Sequence, residues 1–160
     1  MSIINNIFLS YVYPLKIFSN QVIKTSDGQL FVILVVGCLI TLFGQFPSLY
    51  YKSLSSHDPF IGMFSASFIA ILLIMPLFLY FCSGVIFLVL RIFKFRLISL
   101  HVRISLFWSF TLVSPWGLVN TLIKLTNCPL WFEILFSIFI FLIFCMFFCS
   151  FLKVCLKYKV

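Results

Sequence analysis

The stretch FIGMFSASFIAILLIMPLFLYFCSGVIFLVL, Phe60 to Leu90, decides the fold class. It runs for 31 residues without an Asp, Glu, Lys, Arg or His. As a helix it extends about 46 Å at roughly 1.5 Å per residue, against a hydrocarbon core of about 30 Å. It is apolar all round and lacks the period-two alternation of a barrel strand. Backbone polar groups in lipid must be satisfied within the segment, so a helix is the expected unit. Asp58-Pro59 starts the run and Arg91 stops it. Pro76 and Ser83-Gly84 are places where such a helix bends. The run predicts one long helix that projects from the bilayer on its Arg91 side. A tight re-entrant hairpin around Pro76 is the other arrangement its length allows.

Three further runs flank it. The first covers 30–46, with Gln29 and Gln45 at its ends and Pro47 closing it. The third covers 104–123, between Arg103 and Lys124, and the fourth covers 130–152, ending before Lys153. The whole chain of 160 residues is 64% apolar and 9% charged. Soluble domains carry roughly 45–50% apolar and about 25% charged residues, so soluble and disordered classes are excluded. The sequence predicts an all-α, integral membrane four-helix transmembrane bundle forming a single domain over 1–160.

Charge sets the expected orientation. With four spans, Lys16, Lys24, Arg91, Lys94, Arg96, Arg103, Lys153, Lys157 and Lys159 fall on one side, and Lys52 and Lys124 on the other. The positive-inside rule puts the first group, and with it both termini, in the cytoplasm. Residues 1–19 are not read as a secretory signal. Ile4, Ile7, Phe8, Tyr11, Leu15 and Phe18 recur at helical spacing, which predicts a short interfacial helix broken at Pro14. A frayed terminus is the plainer alternative.

Side-chain chemistry is sparse. No Asp, Glu, Lys, Arg or His occurs in 30–46, 60–90, 104–123 or 134–152, whereas proton relays and ion paths normally carry one. Glu133, beside Trp131, reads as a solvated carboxylate at a helix start. Gly37, Thr41 and Gly44 share one face, Gly62, Ala66 and Ala70 repeat at every fourth residue, and Ser105 and Ser109 do the same. Such small-residue faces let helix backbones approach closely, here more simply within the chain than between copies. Gln45 and Asn120 are expected to make intramembrane polar contacts, with a polar path for a neutral solute as the functional alternative. Arg91, Lys94, Arg96 and Arg103 are expected to fix topology and attract anionic lipid headgroups. Nucleic acid is not an expected partner; lipid, another membrane protein or a second copy is.

Six cysteines include Cys145 and Cys149 on one helix face, but no CxxC and no nearby His supports a metal site. Cys128 lacks an outer-side partner, so no disulfide is expected. Cys155 is juxtamembrane and is a weak acylation candidate. His57-Asp58 has no nucleophile motif beside it. No catalytic residue, metal or cofactor is expected.

Several pieces together resemble the bacterial branch of the Yip (Ypt-interacting protein) family. They are Tyr13-Pro14-Leu15-Lys16 before the first span, Gly44-Gln45-Phe46-Pro47 at its end, the long second span leading into the basic loop 91–103, and Phe107-Trp108-Ser109 with Ser114-Pro115 in the third. The resemblance spans nearly the whole chain but rests on length, span order and scattered Gln, Pro and Trp. The family's glycine-rich inner loop is replaced by bulky residues from Phe93 to Leu97. The resemblance implies a small multi-pass protein acting as a membrane-organising or adaptor protein. Eukaryotic members engage prenylated small GTPases, a role that does not transfer to a bacterium.

Overall fold

The computed structural model describes residues 9–24, 26–56, 59–95, 97–126 and 129–157, and the sections below concern those residues. A helical turn over 9–12 and a bend at Tyr13 lead into α1 (Pro14–Lys24). Four long helices follow: α2 (Asp27–Ser56), α3 (Phe60–Ile92), α4 (Ser99–Leu125) and α5 (Leu130–Lys157). Each is long and apolar enough to cross a membrane, and no strand occurs among the described residues. The protein is therefore an all-α, multi-pass membrane protein built as a four-helix bundle.

α3 is one continuous helix, not a hairpin. It contains a single wide turn over Ala70–Ile74, closed by the Met75 N–H on the Ala70 carbonyl, five residues back. Pro76 follows at once. Its ring would clash with the carbonyl four residues earlier in a regular helix, and a widened turn moves that carbonyl aside.

Two boundaries differ from expectation. Pro47 does not close the first span, because α2 runs on to Ser56. Proline removes one backbone donor, and the helix continues past it. Beyond Pro47, Ser53 and Ser55 donate their hydroxyls to the Tyr50 and Lys52 carbonyls of the exposed end. The basic loop is also shorter than 91–103. Arg91 lies in the last turn of α3, where a cation complements the helix dipole, and His101 and Arg103 lie inside α4.

α4 is the central element. It packs extensively on α2, and also on α5 and α3, while α3 and α5 scarcely touch each other. Burial follows polarity in the order lipid demands. α4 has a mean hydropathy of 1.3 with 44% of its best window buried, whereas α5 reaches 2.8 with 6% buried. The least apolar span is thus wrapped by the others, and the most apolar one faces outward. Without water to expel, the close packing of small residues and hydrogen bonds hold such helices together.

The N-terminal element is helical and docked. Phe18 is fully buried and stacks on Phe151 with ring centroids 4.2 Å apart. Val22 is buried beside it, and the Tyr11 hydroxyl donates to the Leu112 carbonyl, midway along α4. Burial pushes the Tyr11 phenol up from its ordinary value. Ile4, Ile7 and Phe8 lie outside the described residues.

Candidate functional site

The interior of α4 carries a ladder of hydroxyls. Ser105, Ser109, Thr111 and Ser114 are all buried. Ser105 donates to the His101 carbonyl, Ser109 to Ser105 and Ser114 to Thr111. The last bond has a specific origin. Pro115 has no N–H, so the Thr111 carbonyl loses its helical donor, and the adjacent Ser114 hydroxyl replaces it at 2.9 Å. Ser105 also meets the Cys155 thiol at 3.6 Å, tying α4 to the end of α5.

Thr111 joins α4 to α2. Its hydroxyl lies 3.0 Å from the Ile33 carbonyl and 2.9 Å from that of Phe107 in its own helix. Gly37 makes this approach possible. A Cβ there would lie 2.8 Å from the Thr111 hydroxyl oxygen and 3.0 Å from the Phe110 ring. One helical stretch onward, a Cβ on Gly44 would meet Leu118 at 3.1 Å. Thr41, between them, donates to the Gly37 carbonyl. Gly37, Thr41 and Gly44 therefore lie together along the α2–α4 contact.

The row Gly62, Ala66 and Ala70 has a different position from the one expected. All three are exposed, in the half of α3 that packs on α2. Their spacing is helical, but spacing alone does not say which face meets a neighbour. Gln45 is half-buried, and its backbone carbonyl accepts the Ser48 hydroxyl. Asn120 donates to the Ser137 hydroxyl at 3.3 Å, linking α4 to α5, while its Oδ1 is buried without a partner. Trp108, 1% exposed, likewise buries an unpaired indole N–H.

The basic residues divide. Arg91 and Lys94 are exposed at the end of α3, and Arg103 sits 5.8 Å from the centre of the Tyr80 ring, which itself packs edge-on to Phe107. That geometry gives Arg103 a cation–π contact with α3. Arg96, His57, Asp58 and Cys128 lie outside the described residues. Cys38, Cys82, Cys145, Cys149 and Cys155 are free thiols, and among the described residues no three potential ligands gather to hold a metal.

Sequence reasoning did not find the two cavities on the α5 side. One, of about 480 Å³, is lined by Lys124, Glu133, Ser137 and Phe141 among others. The other, of about 360 Å³, lies deeper, between Met75 and Leu79 of α3 and Phe141 and Phe144 of α5, floored by α4. Ser137 and Phe141 line both. Only knowledge that α3 and α5 both rest on α4 without closing on each other could have located them. No protein-family model, curated protein or solved structure matches the chain.

Proposed function

We infer that this is a non-enzymatic membrane-organising or adaptor protein that works through helix–helix and lipid contacts. The carrying observation is the exterior of α5, the most apolar of the four spans and the least covered by its own chain. Such a face is built to be met by acyl chains or by another membrane helix. The exposed Arg91 and Lys94 add an electrostatic contact with anionic headgroups at the end of the bundle where α3 finishes and α4 begins. In this reading the basic end is cytoplasmic, both termini are inside, and the chain is a Yip-like protein of a bacterial inner membrane.

Photo-crosslinking from Phe139 and Leu142, both exposed on α5, tests it in native membranes. Discrete adducts to one protein, to a second copy or to a lipid class are expected. A smear that matches bulk membrane composition would overturn the reading.

The rival reading is a small transporter component for a neutral solute, favoured by the unpaired Asn120 Oδ1. The α4 hydroxyls weigh against it, because their protons are already given to backbone carbonyls. If Asn120→Leu abolished uptake of a solute while the protein remained folded, the transporter reading would replace the adaptor one.

A further inference from the structure

We propose that the groove between α4 and α5 holds one zwitterionic, primary-ammonium phospholipid, of the phosphatidylethanolamine class, from the leaflet at the Lys124 end. This rests on insertion of the four spans and not on the adaptor role.

The groove has a charged mouth and an apolar shaft. At the mouth, Lys124 near the end of α4 and Glu133 near the start of α5 line one cavity. Among the described residues they are not ion-paired with each other, so both charges remain available to a ligand. The pair is selective by its signs. Lys124 matches a phosphate, and Glu133 matches an ammonium that can donate to its carboxylate. A headgroup with phosphate alone would be attracted by the lysine and repelled by the glutamate.

The two cavities adjoin, since Ser137 and Phe141 line both. Beyond them Met75, Leu79 and Phe144 supply an apolar lining. Thr41 and Ser114 also line this space, but the hydroxyl of each donates to a carbonyl of its own helix. From Glu133 to Phe144, α5 rises about 16 Å at roughly 1.5 Å per residue. That is about half the ~30 Å hydrocarbon thickness, the depth reached by an acyl chain anchored in one leaflet. The combined volume is also in the range of built small-molecule sites, about 300–1,000 Å³. The deep end opens beside the wide turn of α3, whose last residue is followed by Met75.

The test is native mass spectrometry of the full chain released from detergent after titration with equal amounts of palmitoyl-oleoyl phosphatidylethanolamine and phosphatidylglycerol. One retained phosphatidylethanolamine per protein is expected, at least fivefold over phosphatidylglycerol. Lys124→Gln and Glu133→Gln, both at the cavity mouth, should each reduce that retention threefold or more. Ser137→Phe, which plugs the junction, should abolish it, while circular dichroism and thermal unfolding confirm that each variant is folded. Equal retention of the two lipids, or a preference unchanged by both mouth variants, would overturn the proposal. Either result leaves the α5 crosslinking test to decide the adaptor reading separately.

Discussion

The Thr111 hydroxyl oxygen stands 2.8 Å from the point where a Cβ on Gly37 would lie. The missing methyl of one helix is therefore the space occupied by the hydroxyl of the other. Gly37→Ala should cost about 1–3 kcal/mol through overpacking. Gly28→Ala, where a Cβ meets nothing within 4 Å, should be neutral or stabilising by a few tenths. Reversible unfolding in mixed micelles measures both. Equal stabilities would show that α2 and α4 can separate without loss.

Ser114 and Pro115 form a coupled pair. Ser114→Ala leaves the Thr111 carbonyl without its donor and should cost about 1 kcal/mol. Pro115→Ala restores the helical N–H to that carbonyl. In the Pro115→Ala background, Ser114→Ala should then cost close to nothing, and a double-mutant cycle reads the difference directly.

Lys94 ends α3 with a backbone φ of 59°. Its N–H donates to the Arg91 carbonyl and the Phe95 N–H to that of Leu90, a paired closure that normally uses glycine. A residue with a Cβ pays about 1–2 kcal/mol in this region. Lys94→Gly should stabilise the protein by about 1 kcal/mol, visible as a higher melting temperature, while Lys94→Ala should not.

Phe18 and Phe151 are each fully buried against the other. Phe18→Ala should release α1 from the bundle at a cost of about 3 kcal/mol. Hydrogen exchange over 14–24 should accelerate at least a hundredfold, with α2 and α4 unchanged. Leu15→Ala, at a position 49% exposed, is the matched control and should leave exchange as it was.

The number and order of the spans were legible because lipid imposes a length and a charge rule on any sequence that crosses it. Arg91 and Lys153 marked the end of an apolar run, yet neither ended its helix; polar residues end the hydrocarbon, whereas backbone hydrogen bonds continue into the headgroups. Pro47 misled for a related reason, since a single missing donor is tolerable where the neighbouring turns are sound. The contact faces were only half legible. Gly37, Thr41, Gly44 and Gly62, Ala66, Ala70 look alike as patterns, and what separates them is a partner, Thr111 with Leu118, that only the three-dimensional arrangement supplies. Tyr11 was read for its apolar period, and its hydroxyl found a carbonyl about a hundred residues away. The groove at Lys124 and Glu133 was invisible, because a space has no residues of its own.

The wide turn at Ala70–Ile74 has a consequence for how the gene can vary. Along α3 the covered positions include 60, 63, 64 and 67 before the turn, 71 and 72 within it, and 75, 76, 79, 80 and 83 after it. A turn of this width holds one residue more than a turn of ordinary helix, and it separates a half of α3 that packs on α2 from a half that packs mainly on α4. Deleting Leu73 should remove the extra residue and leave both halves in phase, while returning the carbonyl four residues before Pro76 to the path of the proline ring. Deleting Phe68 or Val89, each within regular helix, shifts every following position by about 100° around the axis at 3.6 residues per turn. The chain thus holds one place in its longest span where a three-base deletion keeps the faces of both halves aligned, with a kink at Pro76, surrounded by places where it turns every following side chain aside.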